Sequence, residues 1–184
     1  MAEIYDINVS ELREYCPKLR VGDKVLLTGI VYTARDAAHK RFEALFDKGE
    51  QLPVDIREAV IYYAGPTPAP EGKPIGSCGP TTSGRMDKFA PRLMDEGLCG
   101  MIGKGERSEA VREAVVRNSG VYFCAVGGAG ALAASCIKSC EVVAFDDLGC
   151  ESVKKLYMEK FPVTVANDCS GGDIFSMGRA EYAV

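Results

Sequence analysis

The chain has 184 residues, 47% of them apolar and 26% charged, with a net charge of −4. That is enough for one substantial core in a single domain, residues 1–184, and the acidity argues against a surface built mainly for nucleic acid. Residues 1–20 carry Glu3, Asp6, Glu11 and Glu14 with no apolar core, so no signal peptide is read there.

Asn8–Tyr15 is expected to form a short opening helix, and Val21-Gly22-Asp23 a turn. Lys24–Thr33 reads as a strand, rich in β-formers. The cluster Ala34–Arg41 holds four charged residues and the single histidine. If it is helical, Arg35 and His39 share a face; otherwise it is a solvated basic turn. Ala59–Ala64 is a strand candidate, and Pro66–Pro74, with four prolines and one glycine, a surface loop. Arg85–Glu96 reads as a helix stopped at Gly97, and Leu98–Ile102 as a short strand. Ser108 is placed to cap a helix to Arg117, with Ala110, Val111, Ala114 and Val115 as its apolar stripe. Asn118–Ile137 is uncharged and long enough for a bilayer, but its four glycines favour a strand, a tight turn and a short helix. Val121–Val126, Ala131–Ser139 and Val142–Phe145 would then form a strand–helix–strand unit, followed by Asp146, Asp147 and Glu151. Val163–Ala166 is read as the last strand, and Asp168–Asp173 as a polar turn.

The eight cysteines, with no secretion signal, point to a reducing, cytoplasmic setting. They include no CxxC pair. Cys136 and Cys140 have the spacing of one helix face, but buried free cysteine commonly serves as a small hydrophobe, and no metal site is read from them.

The richest stretch for chemistry is Gly79-Pro80-Thr81-Thr82-Ser83-Gly84-Arg85-Met86-Asp87. Small residues, hydroxyls and a forked guanidinium suit a carboxylate or phosphate, and a following helix would add its positive pole. The alternative is a capped turn with a solvated Arg. Gly103-Lys104-Gly105 holds up an ammonium on a tight turn. Arg35, Thr81, Arg85 and Lys104 together would suit a dicarboxylate. A competing reading is dinucleotide binding: Gly128, Gly130 and Ala133 match GxGxxA after a strand, and Asp146 lies eighteen residues beyond Gly128.

Five blocks carry a resemblance: ARDAAHKR (Ala34–Arg41), GPTTSGRMD (Gly79–Asp87), GKG (Gly103–Gly105), GGAGALAA (Gly127–Ala134) and FPVTVANDCSGGDIF (Phe161–Phe175). In that order, they resemble the C-terminal domain, or β subunit, of class I iron–sulfur fumarases and L-tartrate dehydratases. Ala34 departs mildly from the family's usual Gly. The resemblance implies an α/β fold of the swivelling β/β/α type, a mixed sheet with covering helices, in which GGAGALAA is structural. It implies reversible hydration of fumarate to (S)-malate, or the tartrate counterpart. It also implies a [4Fe–4S] cluster whose cysteines belong to a cluster-binding α subunit, in a hetero-oligomer with no nucleic acid and no membrane. By position, Thr81 corresponds to the catalytic base, and Arg35, Arg85 and Lys104 to substrate-carboxylate contacts. A Thr hydroxyl is a poor base unless nearby cations or the partner activate it. Asp36 and His39 stand as supporting residues; His39 either orients Arg35 or Asp36 or is a satisfied structural histidine. The start at Met1 and the form of the ending favour a separate subunit.

Overall fold

The computed structural model describes residues 3–182. The elements are β1 (Ile4–Asn8), α1 (Leu12–Tyr15), β2 (Lys24–Thr33), α2 (Asp36–Asp47), β3 (Val60–Tyr62), α3 (Ala90–Asp95), β4 (Gly100–Gly103), α4 (Glu109–Arg117), β5 (Val121–Cys124), α5 (Gly130–Cys136), β6 (Ile137–Ala144), β7 (Val153–Asn167) and α6 (Ile174–Tyr182). The fold is mixed α/β, a seven-stranded mixed sheet with covering helices.

Strands β2, β3, β4 and β5 pair in parallel, each with the next. β7 runs against them: it pairs antiparallel with β2 over Lys24–Thr33 and, on its other edge, with β6 and β5. The pairings β2–β3–β4–β5–β7–β2 therefore close a ring, with β1 on β2 and β6 on β7 outside it. A closed ring leaves few unpaired edges.

The closed sheet divides the core by strand periodicity, because successive side chains point to opposite faces. Val25, Leu27 and Val31 of β2 meet Val60, Tyr62, Ile102, Val121, Phe123, Leu156 and Val165 on one side. Ile61, Met101, Tyr122 and Ala166 face the other side, where α2, α3 and α4 deliver Phe42, Leu93, Val111 and Val115. β3 and β4 are buried on both faces, which is why they read as continuous apolar runs rather than alternating ones.

The expected strand Lys24–Thr33 and the helix after Ser108 form as read, although Ala110 lies exposed and outside the apolar stripe. Ala34–Arg41 resolves to a helix start rather than a basic turn, with Arg35 at the N-cap. Asn8 caps the opening helical segment by accepting the Ser10 amide, after the unforeseen β1. Arg85–Glu96 is not one helix: Ser83–Met86 is a 3-10 turn and α3 begins only at Ala90. Pro91, which lacks an N–H, fits only a first turn, and that fixes the break. The Gly79–Asp87 loop thus does not sit at the N-terminus of a long helix. α5 stops at Cys136 and β6 starts at once, so Cys140 lies on a strand and shares no helix face with Cys136. The last strand is fifteen residues long, far beyond Val163–Ala166. Among the described residues, no helix is long and apolar enough to cross a membrane.

Phe123 is fully buried in the cluster inside the ring. Phe123→Ala is expected to cost about 3–5 kcal/mol of stability, read as a lower denaturant midpoint at unchanged slope.

Candidate active site

The site is assembled by backbone before any side chain reaches out. Tyr62, at the end of β3, donates its hydroxyl to the Cys78 carbonyl at 2.7 Å, and the Thr81 amide donates to the Tyr63 carbonyl at 2.7 Å. Further on, the Ser83 amide donates to the Lys104 carbonyl (2.9 Å) while the Lys104 amide donates to Ser83 Oγ (3.0 Å). The Thr81 loop is therefore stitched between the end of β3 and the turn after β4. The phenol of Tyr122 hydrogen-bonds the Gly105 carbonyl (2.8 Å) and the Ser83 hydroxyl (2.9 Å). Burial holds this phenol above its ordinary pKa range, so it remains a donor.

One ion pair underlies both loops. Arg107 has a fully buried side chain and donates from Nε to Asp87 Oδ1 at 2.7 Å. Its guanidinium lies between the rings of Tyr63 and Tyr122, 5.3 and 4.7 Å from their centroids. The second oxygen of Asp87 accepts the Ser108 amide at the start of α4. Asp87 ends the Thr81 loop and Arg107 ends the Lys104 loop, so the pair sets their relative position.

Arg85 projects from this platform, half-exposed. One guanidinium nitrogen donates to Thr81 Oγ1 and the other lies 3.5 Å from Asp36 Oδ2. The buried Asp36 Oδ2 has no hydrogen-bond partner among the described residues beyond that ion pair. Arg35, at the N-cap of α2, sets Nη2 3.5 Å from Glu151 Oε1. The Lys104 side chain lies over Gly127, with Nζ 3.8 Å from where a β-carbon would stand. Thr82, beside Thr81, caps nothing with its hydroxyl. The structure thus joins Asp36, Arg85 and Thr81 in one hydrogen-bonded and ionic chain and fastens Lys104 to the same loop through Ser83; Arg35 precedes Asp36 in the chain, and its guanidinium is turned toward Glu151.

His39 is fully buried. Nδ1 lies 2.8 Å from the Arg35 carbonyl, which also accepts the His39 amide. A carbonyl only accepts, so Nδ1 carries the proton, and Nε2 points into Phe42, Tyr63 and Phe89 without a partner. Burial, with Arg107 adding to it, lowers the His39 pKa to about 4. His39 thus holds the backbone at Arg35 as a neutral ring.

The glycine turn before α5 serves packing. A β-carbon on Gly130 would stand 2.2 Å from Ser77 Oγ, and the Gly130 carbonyl accepts the Cys78 amide. The turn is a bed for the loop that leads to Thr81. β5 and β6 are not adjacent either, because β7 lies between them. The neighbouring parallel strands of a dinucleotide-binding βαβ unit are absent here, and Asp146 falls in a 3-10 turn. All eight cysteines are free, with the buried Cys16 and Cys99 thiols 3.7 Å apart. Among the described residues, no three His, Cys, Asp or Glu side chains converge to hold a metal ion.

Sequence reasoning did not single out Ser83, Tyr122, Arg107 or Asp87 as parts of the site. The last two lay at the ends of blocks already marked, but nothing in a linear reading pairs charges twenty positions apart.

The model of the fumarase C-terminus family matches residues 2–178. The chain is 39% identical over 174 residues to the anaerobic class I fumarate hydratase of Escherichia coli, covering 92% of this chain and 32% of that protein. It is 38% identical to fumarate hydratase 2 of Leishmania major, covering 91% and 30%. It is 37% identical to the protein assigned as L(+)-tartrate dehydratase subunit beta in Methanocaldococcus jannaschii, covering 86% and 84%. The chain belongs to the fumarase C-terminus family. It spans about a third of the length of the fumarate hydratases it matches.

Two outcomes follow from the buried charges. Asp87→Ala leaves the Arg107 guanidinium unpaired inside the protein and should cost about 3–5 kcal/mol, whereas Asp147→Ala, which removes the partner of Arg41 in an exposed surface ion pair, should barely move the melting temperature. For His39 the folded pKa of about 4 lies below the ordinary 6.5, so the unfolded chain binds the extra proton between those values. Stability should be lost as pH falls through 6.5 toward 4 and be flat above it. Between pH 7.5 and 5, wild type should lose about 2 kcal/mol more than His39→Gln in parallel denaturation curves.

Proposed function

We propose that this chain is the β subunit of a heteromeric, cytoplasmic hydro-lyase that reversibly hydrates fumarate to (S)-malate. The observation that carries the reading is the Asp36–Arg85–Thr81 chain, a carboxylate holding a guanidinium that donates to a threonine hydroxyl. A threonine oxygen becomes a usable base only where its alkoxide is stabilised. A hydrogen-bonded cation does so by favouring the charged form. In dehydration Thr81 Oγ1 would take the proton from C3 of malate as the C2–O bond breaks and the hydroxyl leaves toward a Lewis acid outside this chain; in hydration it would return the proton to C3 as water adds at C2. Arg35, Arg85 and Lys104 would grip the two carboxylates, Arg in bidentate fashion and Lys as a point charge. Asp36 aims Arg85, and His39 fixes the backbone that presents Arg35.

On this reading the [4Fe–4S] cluster is held by a separate α subunit and not by this chain, and it would supply a Lewis acid for the hydroxyl group that leaves. The chain is proposed as one domain that works only in that assembly. L-tartrate dehydration is the second reading, supported by the 37% identity to the archaeal protein named as an L(+)-tartrate dehydratase subunit beta. The two substrates differ by hydroxyl groups and share the carboxylates the cations address.

Co-expression with the neighbouring cluster-binding subunit and anaerobic assay of fumarate, malate and L-tartrate test the assignment. Activity from this chain alone, or none in the assembly, overturns it. Within the active assembly, Thr81→Ala should lower kcat at least about 100-fold with little change in melting temperature, while Thr82→Ala stays near wild type. Near-normal turnover in Thr81→Ala would move the base elsewhere.

A further inference from the structure

Arg35 is gripped from a direction the sequence blocks do not reveal. β2 ends at Thr33, two residues before it. The Thr33 hydroxyl donates to the Ser152 carbonyl at 3.3 Å and accepts the Lys154 amide at 3.1 Å. The end of β2 is thereby tied to the turn before β7.

That turn is built around a buried lysine. Among the described residues the Lys154 ammonium forms no ion pair with a carboxylate; it donates to the Gly149 carbonyl (2.9 Å) and the Ser152 hydroxyl (2.6 Å), with the Cys150 and Ser152 carbonyls at 3.3 and 3.4 Å. Burial lowers its pKa. A buried ammonium with all three protons committed to one short turn leaves that turn a single arrangement.

Glu151 projects from the turn so held, and both its oxygens are engaged. Oε1 lies 3.5 Å from Arg35 Nη2, and Oε2 accepts the Ala37 amide, an orphan donor in the first turn of α2, at 3.1 Å. The guanidinium also rests against Gly65, where a β-carbon would lie 2.6 Å from Nη1 and 3.3 Å from the Cys150 carbonyl oxygen of the same turn. Arg35 Nε is buried and has no partner among the described residues, so the group keeps donor capacity.

We propose that Glu151 is the positioning carboxylate of Arg35, fixing its guanidinium against Gly65 and the turn that Lys154 holds. This rests on reading Arg35 as a substrate-carboxylate contact. A guanidinium aimed in advance spares the substrate the cost of ordering it. Because the contact is made alike in ground and transition states, its loss appears in KM rather than kcat.

In the assembled enzyme, with whichever dicarboxylate it turns over, Glu151→Ala should raise KM about tenfold and leave kcat within about twofold. Glu151→Gln, which keeps an acceptor oxygen, should recover most of the loss. Lys154→Met should show the same KM defect, and the double variant should be no worse than Glu151→Ala, since both act through one contact. In parallel, labelling of the full chain with phenylglyoxal, followed by peptide mapping, should modify Arg35 several-fold faster in Glu151→Ala than in wild type. An unchanged KM in Glu151→Ala overturns the proposal, as does a fall in kcat matching the change in kcat/KM. If the wild-type assembly turns over no dicarboxylate, the functional reading fails instead. The labelling then decides the Glu151 hold by itself: equal rates overturn it, faster labelling supports it.

Discussion

The fully buried Arg107 guanidinium is the interaction on which the site depends. A charge without water must be paired and its donors satisfied. Asp87 supplies the pairing, and the faces of Tyr63 and Tyr122 supply the walls. Each partner belongs to a different part of the closed sheet or its loops: Tyr63 just past β3, Tyr122 in β5, Asp87 at the end of the Thr81 loop. Satisfying one cation therefore fixes three segments at once. The Tyr122 hydroxyl, held by the same packing, carries that constraint to Gly105, next to Lys104, and to Ser83, which accepts the Lys104 amide. The polar groups presented outward are aimed by polar groups packed inward.

The sequence made the local parts legible and the long-range ones opaque. β2 was readable because its alternation survives in the buried face Val25, Leu27, Val31. α4 was readable because Val111, Ala114 and Val115 keep helical spacing. β7 was misjudged because its first ten residues mix lysines and a glutamate with apolar residues, as a strand exposed on alternate positions does. Its partners β2, β5 and β6 lie far away in sequence. The helix drawn from Arg85 ignored the proline that forbids it. Arg35, Thr81, Arg85 and Lys104 were legible from the small-residue-rich loops that carry them and from the family blocks, not from periodicity. Glu151 stood in a plain acidic run whose meaning appears only when β7 folds back along β2.

The glycine turn before α5 shows how one local pattern serves two chemistries. GxGxxA marks a place where backbone must approach something closely. In a dinucleotide fold that something is a pyrophosphate. Here it is the Ser77–Gly79 segment, whose amide at Cys78 meets the Gly130 carbonyl. Topology decides between them: with β7 inserted between β5 and β6, the two strands that flank the turn are not neighbours. The turn supports the Thr81 loop instead.

The exposure of the site bears on why such a chain would work with a partner. Arg85 is 46% exposed and Asp36 30%, so their field is spread into water. Two unit charges 4 Å apart interact by about 1 kcal/mol in bulk water and about 4 kcal/mol at an effective dielectric constant near 20. A surface laid over Arg35, Arg85 and Lys104 would strengthen the attraction in each carboxylate contact, against the cost of taking the charges out of water. The same covering would matter more for Thr81, whose alkoxide form gains from Arg85 only as far as water is kept from competing for the guanidinium. Positions of the Thr81 and Lys104 loops are set within this chain, by Arg107 and the stitched backbone, while the strength of the charges would depend on any surface that covered them. On the proposed reading that is the cluster-bearing subunit, which makes assembly itself the step that turns a well-placed hydroxyl into a base.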